Sequence, residues 1–292
     1  MNRVLGMLIG GIFLMGTGVA LFAAPPGPGK KFNCSSTPNG GTSSCATDDA
    51  GCVPDTPAHG KCAAGIVKAF AKAIGCIGKC HCKQATALAT SKTFVEEPCE
   101  GHNPPKNNGC QDKFDAAVTK LNASGNCSAS QITLAGIGEN IAFASKQQNS
   151  SSLDALNGGS FCDSTSGAMI MASDSDDAGF VPTAAFLKCE CGVAKNRTKL
   201  AAAVLKVHTA MATAFFKGKD YTEELFEGTN AGKGALDKYN KTRDKLLASG
   251  GCPPCLDQAH QDSLAAGDTA TLDGLNALVY PCPPPTTTTT VP

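Results

Sequence analysis

The chain of 292 residues contains no tryptophan and few other aromatic residues. Its 13 Phe and 3 Tyr amount to 5 % of the sequence. Large aromatic side chains supply much of the buried apolar area of a protein core. Their scarcity therefore argues against one large aromatic-rich core and predicts small cores that need additional stabilisation.

The sequence also lacks net charge. Its 25 Lys and Arg balance its 25 Asp and Glu, so the formal net charge is +0 at pH 7. Domains that bind nucleic acid or anionic membrane surfaces usually carry a basic excess. The sequence contains no P-loop, dinucleotide fingerprint or nucleophile elbow either. We therefore predict no nucleic-acid partner, assign no catalytic residue and do not expect an enzyme.

The strongest positive signal is an internal repeat. Residues 61–87 match residues 188–214 without a gap, at an offset of 188 − 61 = 127 positions. The matched positions include Cys62/Cys189, Gly65/Gly192, Lys79/Lys206 and His81/His208. After a two-residue deletion, residues 109–127 align with residues 234–252, including Leu121/Leu246 and Cys127/Cys252. A repeat of this length predicts two homologous domains, each with its own small core.

Acidic residues recur in the same alignment. The matches are Asp48-Asp49 with Asp176-Asp177, Glu96-Glu97 with Glu223-Glu224, and Glu100 with Glu227. Adjacent carboxylates point apart on a helix or strand, so they predict solvation at a helix start or loop rather than a catalytic dyad. Residues 174–179 (Asp-Ser-Asp-Asp-Ala-Gly) have a weak likeness to a calcium loop, but they lack the full twelve-residue pattern.

Residues 1–24 have the features of a secretory signal peptide. A short basic start precedes the apolar run 4–22, which ends in Ala23-Ala24. The alternative is an uncleaved anchor, because the run is long enough to cross a bilayer. The complete domain prediction is a signal peptide at 1–24, helical repeats at 30–148 and 157–282, and a disordered Pro/Thr-rich tail at 283–292. We expect no membrane span after cleavage and a secreted, periplasmic or cell-surface location.

The fold class is predicted to be mainly α. Apolar residues recur at helical spacing in the long repeated segment of each copy, whereas strand patterns are almost absent. A second helix follows at about 110–124 and 235–249, and glycine ends each one. The prediction is two tandem homologous helical-hairpin or bundle domains, stapled by disulfides and joined to irregular Cys-rich loops.

The 16 cysteines of an exported chain indicate structural disulfides. In an antiparallel helical hairpin, the start of the first helix lies beside the end of the second. We therefore predict a bond between Cys62 and Cys127. The second copy leaves four pairings open, from Cys189 or Cys191 to Cys252 or Cys255.

Two short motifs carry a resemblance. Residues 79–85 (Lys-Cys-His-Cys-Lys-Gln-Ala), and residues 113–127 with their Gly-Asn-Cys end, resemble secreted bacterial proteins built from Ala/Lys-rich, cysteine-containing helical repeats. That group has no characterised function. The resemblance implies helical hairpins and export, and it implies no chemistry.

Three cofactor or redox hypotheses remain beside the structural one. Cys76, Cys80 and His81 form a widened version of the haem-attachment motif, although the second copy keeps the histidine without the cysteines. Cys252 and Cys255 match the redox Cys-x-x-Cys spacing without a thioredoxin-like strand pattern. A zinc cluster drawn from the first copy matches no known spacing; its members would be Cys76, Cys80, His81, Cys82, Cys99, His102 and Cys110.

The leading functional prediction is an exported, disulfide-stabilised, non-enzymatic structural or binding protein with an unidentified protein or surface ligand. It assigns no cofactor and no metal ligand, and it interprets His81 and His208 as buried structural histidines. The alternatives are a mono-haem c-type electron-transfer protein and a thiol redox protein.

Overall fold

The structure is a computed structural model, and it describes residues 25–32, 49–95, 97–143, 159–161 and 183–283. Within these ranges the chain is helical, and its extended pairing is limited to one isolated bridge between Lys31 and Cys52. The eight α-helices are α1 (Pro57–Ala89), α2 (Glu97–Glu100), α3 (Cys110–Ala123), α4 (Ala129–Phe143), α5 (Ala184–Phe216), α6 (Glu223–Glu227), α7 (Ala235–Ala248) and α8 (Gln258–Leu275). The mainly α prediction is confirmed. The predicted signal peptide lies outside the described residues, as does nearly all of the tail.

The helix boundaries follow from local chemistry. Thr56 caps α1, since its hydroxyl accepts a hydrogen bond from the backbone N–H of His59 at 3.1 Å. At the start of α7, the Asp237 carboxylate accepts from the backbone N–H of Gly234 at 3.1 Å. Gly250 follows α7 with a φ of 69°, a left-handed conformation that favours glycine. The second helix of the hairpin therefore ends where the sequence predicts.

The two long helices α1 and α5 pack against each other at the centre of the fold. Helices α3 and α4 pack on α1, and α7 and α8 pack on α5. The contact between α1 and α3 is close, because a Cβ added at Gly65 would lie 2.4 Å from a methyl carbon of Leu121. The same contact recurs between Gly192 of α5 and Leu246 of α7, at 2.6 Å. Matched residues of the sequence repeat thus make matched helix contacts.

The largest hydrophobic cluster contains residues from both halves of the chain. It combines Ile66 of α1 with Met211 and Phe215 of α5. The ring of Phe32 also contacts that of Tyr280, with 5.5 Å between the ring centroids. The sequence predicts two separate small cores, and the structure differs because α1 and α5 bury their apolar faces against each other.

Disulfides tie the helices together. Cys62 is bonded to Cys127 and Cys189 to Cys252, with Cα–Cα distances of 5.1 and 5.0 Å. These are pairings that the hairpin geometry predicts. Two further bonds cross between the halves, Cys52–Cys282 and Cys82–Cys191. None of the cysteines in the described ranges is free, which indicates an oxidising environment such as the periplasm or the extracellular space.

One described helix, α5, is long and apolar enough to cross a membrane by length and composition. Half of its most apolar window is buried inside the protein. A buried core helix meets the same two criteria, so the finding is weak evidence for a span.

Candidate metal centre

The His208 side chain lies at the centre of a buried acidic cluster. His208 is on α5 and is 0 % exposed. Four carboxylate oxygens lie within 3.6 Å of its Nε2 atom. They belong to Asp49 and Asp273 at 3.2 Å each, Glu227 at 3.5 Å and Glu223 at 3.6 Å. We call these five residues the His208 cluster.

Asp49 reaches the cluster from the loop before α1, about 160 residues away in the sequence. Backbone hydrogen bonds pin this loop to the end of α8. The Ala50 N–H donates to the Asp273 carbonyl at 3.1 Å, and the Cys52 N–H donates to the Tyr280 carbonyl at 2.9 Å. The Cys52–Cys282 disulfide fixes the same contact covalently. The first half of the chain thus supplies a carboxylate to a site in the second half.

Glu223 and Glu227 come from the short helix α6. Their spacing of four residues places both carboxylates on one face of the helix. The turn after α6 is tight, because a Cβ at Gly234 would lie 2.0 Å from the Gly228 carbonyl oxygen. The Asp237 carboxylate holds this turn by accepting a hydrogen bond from the Asn230 N–H at 2.6 Å. Close backbone packing therefore orients α6 towards His208.

The cluster carries much more negative than positive charge. Asp49 is 0 % exposed and Glu223 1 %, and the side chains of Asp273 and Glu227 are 9 % and 11 % exposed. Buried carboxylates at such short separations repel one another unless a cation or bound protons compensate them. One imidazolium would offset one of four negative charges. A cation bound among these carboxylates would reduce this repulsion.

The pKa of His208 reflects this charge imbalance. Burial alone would lower the pKa, but the nearby carboxylates of Asp273 and Glu227 and the charges of Asp49 and Glu223 outweigh burial and raise it to about 10. Yet neither ring nitrogen of His208 makes a hydrogen bond of acceptable geometry. A protonated imidazole has one N–H at Nε2, which cannot serve four acceptors.

The spacing of the ligand atoms suits a coordinated cation. At metal–ligand distances of about 2.0–2.2 Å, neighbouring ligand atoms are about 3 Å apart and opposite ones about 4.4 Å. In the cluster, Nε2 lies 3.2–3.6 Å from its four oxygen neighbours. The ligand atoms of Asp49, His208, Glu223 and Asp273 all lie within 4.8 Å of one another. A cation at their centre would be in reach of all of them.

The burial of the cluster decides what such a cation would do. A catalytic metal keeps a coordination position open to water or substrate, whereas a structural metal is enclosed by protein ligands. Four of its residues, Asp49, His208, Glu223 and Asp273, offer ligand atoms within 4.8 Å of one another and are all buried. Glu227 lies beside them, with its side chain 11 % exposed. The cluster fits a structural ion that joins the Asp49 loop to α5, α6 and α8.

The predicted haem residues lie elsewhere, on α1. Cys76 is bonded to Cys110 and Cys80 to Cys99. His81 is 1 % exposed, and its Nε2 lies 3.0 Å from Oε1 of Glu100. Haem attachment would require both cysteines as thioethers. It stays a separate hypothesis that a visible spectrum tests.

The cysteines of the zinc and redox hypotheses are all disulfide-bonded. The sulfurs of Cys76, Cys80 and Cys110 lie within 4.8 Å of one another, but all three belong to disulfides and offer no thiolate for zinc. Cys252 is bonded to Cys189, and Cys255 is also disulfide-bonded. The bonds therefore do not join the two cysteines of the redox motif to each other. The calcium-like residues 174–179 lie outside the described residues.

Sequence reasoning missed the His208 cluster as a site. The expectation of solvated glutamates is wrong for Glu223, which is buried. The two short helices α2 and α6 are not among the helices that the sequence predicts. A usable signal was present, however, because one histidine and three carboxylate positions recur together in both halves of the sequence.

Comparisons with protein-family models, with curated proteins and with solved structures find no match to this chain.

Proposed function

We propose that this protein is an exported, non-enzymatic structural or binding module that holds a metal cation in the His208 cluster. The observation that carries the proposal is the convergence of four carboxylate oxygens on one buried imidazole nitrogen, within 3.6 Å. The ion would reduce the repulsion between the carboxylates and join the elements that carry them, in addition to the disulfides. The enclosed donor set supports a structural role.

The donor set favours a divalent first-row transition cation. Imidazole is a usual ligand for zinc, iron, nickel and copper, whereas Mg²⁺ and Ca²⁺ prefer oxygen ligands throughout. Four carboxylates shift the preference towards the harder cations of the series. Mn²⁺ or Fe²⁺ therefore fits the His208 cluster best, with Zn²⁺ next.

The competing explanation is a buried imidazolium that needs no metal. It accounts for the raised pKa of His208, but the single N–H at Nε2 cannot donate to four carboxylate oxygens at once. A cation binds several oxygens at once and has no single N–H direction to satisfy. The geometry thus supports metal binding over an imidazolium.

We further propose that the protein consists of two tandem homologous repeats. The matched Gly65–Leu121 and Gly192–Leu246 contacts support this, as do the matched Cys62–Cys127 and Cys189–Cys252 bonds. The disulfide content supports export to the periplasm, cell surface or medium. Two similar units with different loops suit the presentation of two related surfaces to a partner.

Elemental analysis of the exported protein, purified without chelator, tests the proposal. We expect at least one transition-metal ion per chain after desalting, and its loss in a Glu223→Gln/Asp273→Asn variant. These changes keep the side-chain shapes and remove two negative charges. The matched control is Asp220→Asn, since Asp220 is an exposed carboxylate just before α6. Absence of metal before and after incubation with Mn²⁺, Fe²⁺ and Zn²⁺ would overturn the proposal.

A further inference from the structure

We propose that a cavity beside α1 binds an amphiphilic organic anion, that is, a small molecule with an apolar body and an anionic head group. The cavity lies between α1, α2, the first turn of α3 and the segments that connect these helices. None of the described residues that line it belongs to the His208 cluster. The inference is therefore independent of the proposed cation.

The cavity has the size of a ligand site and walls that are fixed covalently. Its volume is about 830 Å³, within the range of roughly 300–1,000 Å³ that is usual for small-molecule sites. The disulfides Cys76–Cys110 and Cys80–Cys99 join α1 to α3 and to α2. Three of these four cysteines line the cavity. Walls that are held in place before a ligand arrives lower the conformational cost of binding.

A glycine of α1 leaves the cavity open at its base. Gly75 belongs to the lining, and a Cβ built on it has no atom within 4 Å. Its neighbour in the lining, Ala71, is also small. Glycine is unfavourable inside a helix, and at this position a larger side chain would project into the cavity. The missing side chain leaves room for a ligand against the helix backbone.

The lining is positively charged. Lys72, Lys79 and Lys83 recur at helical spacing, which places them on one face of α1, and Lys113 of α3 adds a fourth ammonium group. All four lysines are exposed. Among the described residues, no acidic side chain lines the cavity. A concave surface of one charge attracts a ligand of the opposite charge.

Apolar side chains complete the lining. Phe94 and Val95 follow α1, and Pro98 lies on α2. Val95 is 66 % exposed, so this apolar surface is accessible to a ligand. Apolar side chains beside ammonium groups match a molecule that carries both an apolar body and a negative charge. Lysine is a point charge without a planar binding geometry, so carboxylate and sulfonate head groups share the required chemistry.

The second half of the chain does not keep this set of residues. At the repeat offset, Lys83 corresponds to Ala210 and Cys99 to Phe226. The ring of Phe226 stacks on that of Tyr221, with 4.9 Å between the ring centroids. One lysine is thus lost, and an aromatic side chain replaces a disulfide-bonded cysteine. We therefore expect one anion site per chain.

The test is fluorescence titration of the full-length exported protein with anilinonaphthalenesulfonate, an organic anion that reports on accessible apolar surface. Dodecanoate, dodecanol and inorganic phosphate then serve as competitors, because they separate the contributions of the apolar body and the charge. Gly75→Leu fills the cavity. Gly136→Leu is its matched control, since a Cβ at this residue of α4 also has no atom within 4 Å and the residue lies outside the lining.

A charge variant tests the same site by a second route. Lys79→Gln/Lys83→Gln removes two ammonium groups from the lining. Lys61→Gln/Lys68→Gln is the matched control, because both lysines are exposed on α1 and lie outside the lining. Circular dichroism checks that each variant is folded, and the lysine variant decides the test if Gly75→Leu is not.

We expect one probe molecule per chain, displaced by dodecanoate and much less by dodecanol or phosphate. Lys79→Gln/Lys83→Gln should raise the Kd of dodecanoate by about tenfold, because it removes charge-assisted hydrogen bonds. Gly75→Leu should abolish binding, and both controls should bind as the wild type does. Equal displacement by dodecanol or phosphate would overturn the ligand class. An unchanged Kd in the lysine variant, probe binding that survives in folded Gly75→Leu, or absence of binding in the wild type would overturn the site.

Discussion

Removal of the cation should lower the thermal stability of the wild-type protein. A ligand that binds the folded chain and not the unfolded chain stabilises by mass action, in proportion to the logarithm of its concentration over its Kd. The His208 cluster exists in the folded chain alone, because its ligands come from a loop and three helices that are distant in sequence. Stripping the ion also leaves four carboxylates close together in a buried site.

The size of the effect follows from the linkage relation. A free cation at 100 to 1,000 times its Kd contributes about 2.7 to 4.1 kcal/mol to the free energy of unfolding. For a chain of this size, 1 kcal/mol corresponds to about 2–4 °C in Tm. Removal of the ion should therefore lower Tm by roughly 5–16 °C.

Differential scanning calorimetry of metal-loaded and chelator-stripped protein measures this shift, with elemental analysis to verify both states. His208→Ala provides the first control, since it removes the imidazole ligand of the His208 cluster and should respond much less to stripping. Asp220→Asn provides the second, because this exposed carboxylate lies outside the cluster and should leave the shift unchanged. Equal Tm values for loaded and stripped wild type would refute the reasoning.

Three further predictions concern the rest of the fold. Burial and a hydrogen bond with Glu139 raise the pKa of Asp115 from about 3.8 to about 6. Ionisation of Asp115 therefore lowers the free energy of unfolding as the pH rises above about 3.8, and this loss is complete above about pH 6. Asp115→Asn should therefore raise the free energy of unfolding by about 1 kcal/mol at pH 7.5 and leave it unchanged at pH 3.5. The effect is this small because the Asp115 side chain is 37 % exposed and solvent screens its charge. A change of equal size at both pH values would contradict the prediction. Gly65→Ala should destabilise by about 1–3 kcal/mol in urea unfolding, because the new Cβ meets Leu121 at 2.4 Å. Gly75→Ala is its control, since no atom lies within 4 Å of that Cβ, and it should be neutral or stabilising. Replacement of Cys52 and its partner by serine should cost about 2–4 kcal/mol by the same measurement, and no loss would show that the bond is dispensable.

The helices could be predicted because their signals are local. The periodicity of α1 and α5, the glycine stops after α3 and α7 and the hairpin pairing of Cys62 with Cys127 all depend on neighbouring residues or on one turn of the chain. The structure places these elements within a few residues of the predicted bounds.

The packing of the two halves could not be predicted in the same way. Periodicity identifies the apolar face of α5 but not the element that covers it. The face of α5 that carries Met211 and Phe215 packs with residues of the first half, including Ile66 and Phe32. A prediction that assigned each repeat its own core therefore missed the largest cluster.

The His208 cluster combines a predictable part with an unpredictable one. Burial of His208 follows from its place on the apolar stripe of α5. Its contact with Asp49 depends on a loop from the first half of the chain. The helix that carries Glu223 is too short for a periodic signal. The signal in the sequence is the joint recurrence of the histidine and three acidic positions at matched places in both halves.

X-ray absorption spectroscopy of the Mn²⁺-loaded protein tests the central claim most directly. The measurement uses wild-type protein loaded with one ion per chain, and His208→Ala is the control. We expect a first shell of one nitrogen and at least three oxygens at about 2.1–2.2 Å, with the outer-shell scattering of a single imidazole. A spectrum of a hydrated ion without imidazole scattering, or one with sulfur ligands, would contradict the account.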